Sequence, residues 1–366
     1  MTKILISAGE LSGDLHASRL VKEIKKIAPD AEFIGFGGPL MKKEGVKLLY
    51  SIEDLDIVGF QEAILKYNKI NEILKSLVRA ARNSVDAAIM VDYPGFNLKL
   101  ASKLHKMGIK TFYYIVPQVW AWGKWRVGLL KKYIDKAIVI LPFEEKFLRM
   151  YGIQANYVGH PIIDIIKEDN DYIPRVDGKI HISLLPGSRK DEIRRLLPKM
   201  LAIKKRIEER IPNTIFLLSL LMESVPDYLK DEPNIKIFKG RARAVIRASD
   251  FVVVASGTAS LEAGLLGKPM VVLYMLSEVS WLLANLIAKV PYASLVNLLL
   301  GKEAVPEILQ HINPVRVADW IVDTLKKPED YNKIKEELSK LPIILKWGGA
   351  AQRAANIIIN EIGGQK

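Results

Sequence analysis

The chain has 366 residues, 49% of them hydrophobic and 26% charged, with a formal net charge of +13 and no cysteine. Disulfides and thiolate metal sites are thereby excluded, and His16, His105, His160, His181 and His311 lack metal-ligand spacing. The length and apolar content imply a globular protein of two domains. The positive charge calls for anionic partners, and nucleic acid is disfavoured because no Cys–His finger, aromatic RNA-binding consensus or long basic arm is present.

In chain order, Ile4–Ser7 is predicted as a strand that enters the turn Ala8–Asp14, followed by a helix from about Leu15 to Ala28. The N-terminal apolar stretch is too short for a signal peptide and runs into that glycine turn, so a cytoplasmic location is expected. Further strands are predicted at Glu32–Gly35, Ala87–Val91, Lys110–Ile115 and Lys136–Ile140. Charge, proline and glycine break the rhythm from Gly159-His160-Pro161 to Asp177-Gly178. It restarts with Ile180–Leu185 and a basic helix over Glu192–Arg210, then Thr214–Ser219, Ile235–Phe238, Phe251–Val254 and Met270–Leu273. Val279–Leu300 is the nearest approach to a spanning helix. It is interrupted by Asn285, Lys289, Pro291, Ser294 and Asn297, which leaves only surface association with a membrane open. A last helix is predicted over Gln352–Ile362. Strands alternating with helices of this length make parallel sheets covered on both faces, so the expected architecture is α/β: two similar open domains facing a cleft. Ligands of such sheets sit beyond the carboxyl ends of the strands, and the informative turns are those after Ser7, Val91, Leu185 and Val254.

The first turn lacks the dinucleotide-binding glycine spacing. It brings Glu10, Asp14 and His16 to one strand end, where they read either as capping groups or as part of an acceptor pocket. Asp92 follows a fully apolar strand and precedes Tyr93-Pro94, so it reads either as a general base at a site's edge or as an Asx turn before proline. Pro117–Trp122, with Trp125 and Arg126 after it, is the most aromatic stretch, suited to core packing or to the wall of a sugar or lipid pocket. Arg189, held by Pro186-Gly187-Ser188, can pair with a diphosphate. Ser256-Gly257-Thr258-Ala259-Ser260 opens directly into a helix. Its free N–H groups and small side chains fit a phosphate, its three hydroxyls add donors, and Glu262 in the following turn could accept from a ribose. An ordinary helix cap is the competing reading.

These motifs, in this order, resemble the lipid A disaccharide synthases over essentially the whole chain. They are Gly9–Asp14, Asp92–Asn97, Pro117–Trp122, Leu141–Glu144, Gly159–Pro161, Leu185–Arg189, Ser256–Glu262 and Pro306–Gln310. The segment Val58–Tyr67 matches loosely. The resemblance implies a GT-B fold. Its Rossmann-like acceptor domain would cover residues 1–165 and its UDP-sugar domain residues 166–345, with a closing helix at 346–366 that packs on its own chain or on a partner in a homodimer. It implies inverting, metal-independent transfer, without a cofactor, from UDP-2,3-diacylglucosamine to 2,3-diacylglucosamine 1-phosphate. It also implies association with the anionic inner face of the inner membrane. By this resemblance Asp92 is the essential aspartate; Glu10 and His16, at a neighbouring strand end, stay open as alternative bases because sequence does not measure reach. Arg189 and Asn297 belong to the UDP site, and Glu262 takes the ribose by analogy with other GT-B enzymes.

Overall fold

The computed structural model describes residues 2–55, 62–82, 84–121, 123–221, 226–229, 232–277 and 291–363. The side chains of Val58–Tyr67, of Trp122 and of residues 279–290, on which some expectations fell, lie outside that set.

The chain forms two compact units, one of Met1–Asp164 with Leu345–Lys366 and one of Ile165–Ile344. The first is built on a seven-stranded parallel sheet in the order β3-β2-β1-β4-β5-β6-β7. Its strands are β1 (Lys3–Ala8), β2 (Glu32–Gly37), β3 (Lys47–Ser51), β4 (Ala87–Val91), β5 (Lys110–Tyr114), β6 (Lys136–Val139) and β7 (Ala155–Tyr157). The helices used below are α1 (Leu11–Ile27), α2 (Pro39–Lys43), α3 (Glu62–Ala81), α4 (Pro94–His105), α5 (Trp125–Tyr133), α6 (Pro142–Met150) and α7 (Ile162–Glu168). All five residues of β4 are buried, as a strand covered on both faces requires. One face packs under α3, α4 and α5 through Leu77, Leu100, Tyr113 and Leu130. The other packs under α1 and the C-terminal helix Ala350–Gly363 through Ile6, Leu20, Val91 and Ala354.

The second unit repeats the plan with six parallel strands in the order β10-β9-β8-β11-β12-β13. These are β8 (Ile180–Leu185), β9 (Thr214–Leu220), β10 (Ile235–Lys239), β11 (Phe251–Ala255), β12 (Met270–Tyr274) and β13 (Glu307–Leu309), with helices α8 (Lys190–Arg210), α9 (Ala242–Ala248) and α10 (Thr258–Leu265). Strand order reverses between β1 and β4 in the first sheet and between β8 and β11 in the second, the positions where open α/β sheets leave a crevice.

One expected boundary moves. Helix α1 begins at Leu11 rather than near Leu15, so Ser12, Gly13 and Asp14 lie in its first turn. Gly13 permits this because a Cβ there would already stand 3.3 Å from the Ala8 Cβ, against the sheet. Asp14 accordingly does not cap its own helix. Its buried carboxylate accepts the N–H groups of Gly38 (2.9 Å), Leu40 (2.9 Å) and Met41 (3.0 Å), and so caps α2.

Candidate active site

In the first unit the chain leaves β4 through two successive left-handed residues, Asp92 (φ 48°) and Tyr93 (φ 48°, ψ 58°). Neither is glycine, and such a conformation costs about 1–3 kcal/mol per residue unless its surroundings impose it. Here they do. The Asp92 N–H donates to the Tyr114 carbonyl (3.1 Å), and the Asp92 carbonyl accepts from Asn97 Nδ2 (2.7 Å) and the Tyr113 hydroxyl (2.7 Å). Asn97 is fully buried, also reaches the carbonyls of Val91 and Ser7, and accepts from the Ser7 hydroxyl at 2.7 Å. The Tyr93 ring occupies the space beside Gly9, where a Cβ would lie 2.1 Å from Tyr93 Cδ1.

This frame holds the Asp92 main chain and leaves its half-buried carboxyl as the variable part. The Asx-turn reading fails because the residue two positions on is Pro94, which has no N–H to offer. Burial raises the Asp92 carboxyl above the usual carboxylate range, a hydrogen bond from the Tyr93 backbone opposes this, and the charge of Glu10 adds to it. Glu10 itself is exposed, in extended conformation just ahead of α1. The structure therefore places Glu10 within electrostatic reach of Asp92. His16 keeps other company. Burial and then Arg19 lower it to about 4, its Nδ1 is out of solvent without a hydrogen-bond partner, and its charge bears on His160, lowered to about 3 mainly by burial.

The aromatic stretch divides. Trp120 is structural: its Nε1 donates to Glu144 Oε1 at 3.0 Å and its ring meets Phe143 edge-on at 4.8 Å. Glu144 Oε2 accepts from Ile140 (3.3 Å) and Leu141 (3.1 Å), and burial pushes this carboxyl up to about 7. Trp125, by contrast, is 68% exposed, with the Arg126 guanidinium over its ring.

In the second unit, Gly187 (φ 104°) turns the chain after β8, and a Cβ there would come within 2.5 Å of Glu192 Oε2. Arg189 sits at the N-cap of α8 with its side chain 83% exposed, 3.4 Å from Glu192. After β11, Gly257 (φ 149°) has open space where a Cβ would be, and α10 starts at Thr258. The expected set of three hydroxyl donors is corrected. The Ser256 hydroxyl donates to the Ala293 carbonyl (3.0 Å), and the Ser260 hydroxyl, buried, donates to the Gly257 carbonyl (2.7 Å). Both are turned inward. What this turn presents is the exposed Thr258 and the backbone N–H groups of Gly257, Thr258 and Ala259 at the helix start. Glu262 lies 3.8 Å from Arg243, which pairs with Asp169 at 2.9 Å, and burial raises the Glu262 carboxyl above its ordinary value.

Asn297 is also not a direct ligand in this arrangement. It is fully buried, Nδ2 donates to the Val305 carbonyl (2.8 Å) and Glu307 Oε1 (2.7 Å), and Oδ1 accepts from Ala304 (2.8 Å) and Val305 (3.1 Å). All four of its hydrogen-bonding positions are taken within the protein. Its influence runs through Glu307, which holds the Ala293 N–H at 2.6 Å, while the Ala293 carbonyl receives Ser256. Glu307, Asn97 and Glu144 escaped the sequence reading as individual residues although all stand inside the quoted motifs. Buried polar residues in apolar surroundings were the available signal.

Two Rossmann-like units with their informative turns at the strand reversals define the GT-B class. Solved structures agree in fold: the S. aureus MnaA–UDP co-structure (TM-score 0.70, 14% identity, 99% of this chain and 97% of that one). The glycotransferase of kitacinnamycin matches at TM-score 0.66 with 16% identity over 99% of each chain. The family model described as lipid-A-disaccharide synthetase matches residues 4–350. Relatives named lipid-A-disaccharide synthase include those of Syntrophus aciditrophicus (39% identical, 98% of this chain and 97% of the relative) and Myxococcus xanthus (37%, same shares). The chain belongs to the lipid-A-disaccharide synthase family, and it is a glycosyltransferase of lipid A biosynthesis.

Proposed function

We propose that the chain catalyses inverting transfer of 2,3-diacylglucosamine from its UDP derivative to the 6-hydroxyl of 2,3-diacylglucosamine 1-phosphate, with release of UDP. The observation that carries the reading is the Asp92 carboxyl. It is fixed by a strained, hydrogen-bonded backbone, raised by burial, and within electrostatic reach of Glu10 at the reversal of the first sheet. A carboxylate whose proton affinity is raised in this way is a better base toward a hydroxyl than a solvated one. Asp92 takes the proton of the attacking hydroxyl as the new glycosidic bond forms at the donor's anomeric carbon and the bond to UDP breaks.

The N–H groups at the start of α10, with Thr258 and Arg189, receive the departing diphosphate, and Glu262 takes the ribose. Asn297 serves as a positioning residue that holds the Ser256 turn through Glu307 and Ala293. Relatives in fold were solved with UDP or with UDP-GlcNAc, which supports a uridine nucleotide as the donor's handle. The net charge of +13 and the acylated substrates support work at an anionic membrane face.

Replacing Asp92 by Asn tests the assignment. Turnover should fall by about 10²–10⁴, while UDP affinity by calorimetry and the fold by circular dichroism stay as in the parent. Near-parental turnover would remove Asp92 from the base role. UDP release that ignores the presence of acylated acceptor would sink the transfer reading and favour hydrolysis of the donor.

A further inference from the structure

Glu262 lies one helical turn beyond the exposed Thr258, on the same face of α10. Its side chain is only 12% exposed. Among the described residues its one close polar contact is with Arg243, Nε to Oε1 at 3.8 Å, which is too long for a hydrogen bond. Buried polar groups are ordinarily paired, and a mostly buried carboxylate that accepts no hydrogen bond is costly. Both oxygens of Glu262 thus keep their accepting capacity for a ligand.

Arg243 stands in the first turn of α9, which packs against α10. Its Nε is 2.9 Å from Asp169 Oδ2, nearer than to Glu262. Asp169 is itself fixed from two sides. Its Oδ1 accepts the Asp171 N–H at 2.9 Å and lies 3.4 Å from Arg247 Nη1. Arg247 is tied in turn to the carbonyls of Ile166 (2.7 Å) and Asp171 (3.0 Å). Burial raises the Glu262 carboxyl, Arg243 opposes this, Asp169 adds to it and Arg247 opposes it. The other helices packed on α10, Leu295–Leu300 and Leu341–Ile344, carry no charged side chain.

We infer that Arg243 is a positioning residue for the donor nucleotide, holding the Glu262 carboxylate ionised and ready to accept the ribose hydroxyls. The inference rests on the reading above, in which the start of α10 receives the diphosphate and Glu262 the ribose. One helical turn is about 5.4 Å, a span that a nucleoside diphosphate covers between its phosphates and its sugar hydroxyls. A ribose diol donates two charge-assisted hydrogen bonds to a carboxylate, whereas a protonated carboxyl has less accepting capacity to offer. Arg243 supplies countercharge without occupying a lone pair of Glu262, because Asp169 holds it back at 3.8 Å. It touches no substrate and acts through Glu262.

Calorimetric titration of the full chain with UDP and 2′,3′-dideoxy-UDP tests this, because the two share a diphosphate and differ only in the ribose hydroxyls. The parent should prefer UDP by about tenfold or more, the scale of a hydrogen bond to a charged group. Arg243→Gln should bring the two affinities within about threefold of each other, as expected once those hydrogen bonds lose their charged acceptor. It should also raise the pH at which the preference fades, since Glu262 without its countercharge takes up a proton sooner as pH falls. Arg243→Lys keeps the charge but not the Nε contact and should fall between the two; it is read against the parent alone if Arg243→Gln does not fold. Arg241→Gln loosens the same segment, at Asp171 and the Tyr172 carbonyl, and should keep the parental preference. Parental preference in either Arg243 variant, a Lys variant no better than Gln, or equal loss in Arg241→Gln would overturn the inference. Glu262→Gln separates it from the reading beneath. Loss of preference there, with Arg243→Gln unchanged, would leave the ribose at Glu262 and remove Arg243 alone. A parent without the preference, or a Glu262→Gln variant that keeps it, would remove both.

Discussion

Asn97 illustrates how a residue with no chemistry of its own sets up one that has it. Its side chain spans Ser7, Val91 and Asp92, tying the ends of β1 and β4 to the left-handed turn. Asn97→Ala would leave several buried carbonyls without donors. We expect it to cost about 2–3 kcal/mol, within the range of a broken buried network, measured by urea denaturation, and to lower turnover although Asp92 is untouched. A variant with parental stability would mean that the turn is held by its neighbours alone. The His16–His160 pair sets a pH dependence of opposite sign to that of Glu144. Both histidines have folded values, about 4 and about 3, below the ordinary 6.5, so the stability tied to their neutral forms is complete above pH 6.5 and drains as pH falls toward those values. Glu144, raised from 4.5 to about 7, contributes most below 4.5 and loses its contribution as pH rises through 7. Charges facing the pair, from Arg19, also disfavour protonation. His160→Asn keeps an acceptor for the Ile162 N–H and removes one titration. Between pH 6.5 and 4 its stability should fall by roughly 3 kcal/mol less than that of the parent, and parallel Tm–pH curves would refute the assignment.

At the scale of elements, legibility followed burial. The strands β4, β8 and β11 were readable to within a residue because a strand covered on both faces is a continuous apolar run bounded by turns. The edge strands β3, β7 and β13 were missed, since Lys47–Ser51, Ala155–Tyr157 and Glu307–Leu309 are short and largely half-buried, without a long, fully buried apolar run. The start of α1 was misjudged for a different reason. Gly13 and Asp14 look like turn residues, yet Gly13 is there for close packing on the sheet and Asp14 for capping a helix distant in sequence. Asp14→Ala should therefore destabilise the first unit by about 1–2 kcal/mol, the range for losing an N-cap, with hydrogen exchange rising in α2 and not at the start of α1. Protection lost first in α1 would contradict this assignment. The site was legible in the same uneven way. Asp92 and the α10 turn are visible because strand-end positions can be located by counting. The inward orientation of Ser256 and Asn297 was not, because each spends its hydrogen bonds on residues brought near by folding, and Ser260 turns back onto the Gly257 carbonyl of its own turn.

For the molecule as a whole, the C-terminal helix completes the first unit. Ala350, Ala354, Ala355 and Ile358 are fully buried in the same core as Ala17, Leu20, Val21 and Ile24 of α1, and the alanines let the two helices approach closely. At its far end Glu361 reaches Lys110 and Lys136, each at 2.8 Å, which hold its carboxyl below the usual range. Cutting the chain before Ala350 would bare that face of α1. The truncated protein should lose more than about 3 kcal/mol, on the scale of burying a few apolar side chains, and associate at micromolar concentration by sedimentation. A truncated chain that stays monomeric with the parental Tm would show the helix to be dispensable. Among the described residues no helix is long and apolar enough to cross a membrane.

The order of motifs, the α/β rhythm and the strand-end placement of Asp92, Arg189 and the Ser256–Glu262 turn were determined by the sequence alone, because each depends on periodicity or on neighbours a few residues away. Tertiary structure decided which side chains remain available. It committed Ser256 and Asp14 to internal hydrogen bonds, brought Glu10 within electrostatic reach of Asp92, and left the Tyr114 hydroxyl and His16 Nδ1 without partners. Those outcomes depend on which groups meet across tens of residues, information that local pattern does not carry.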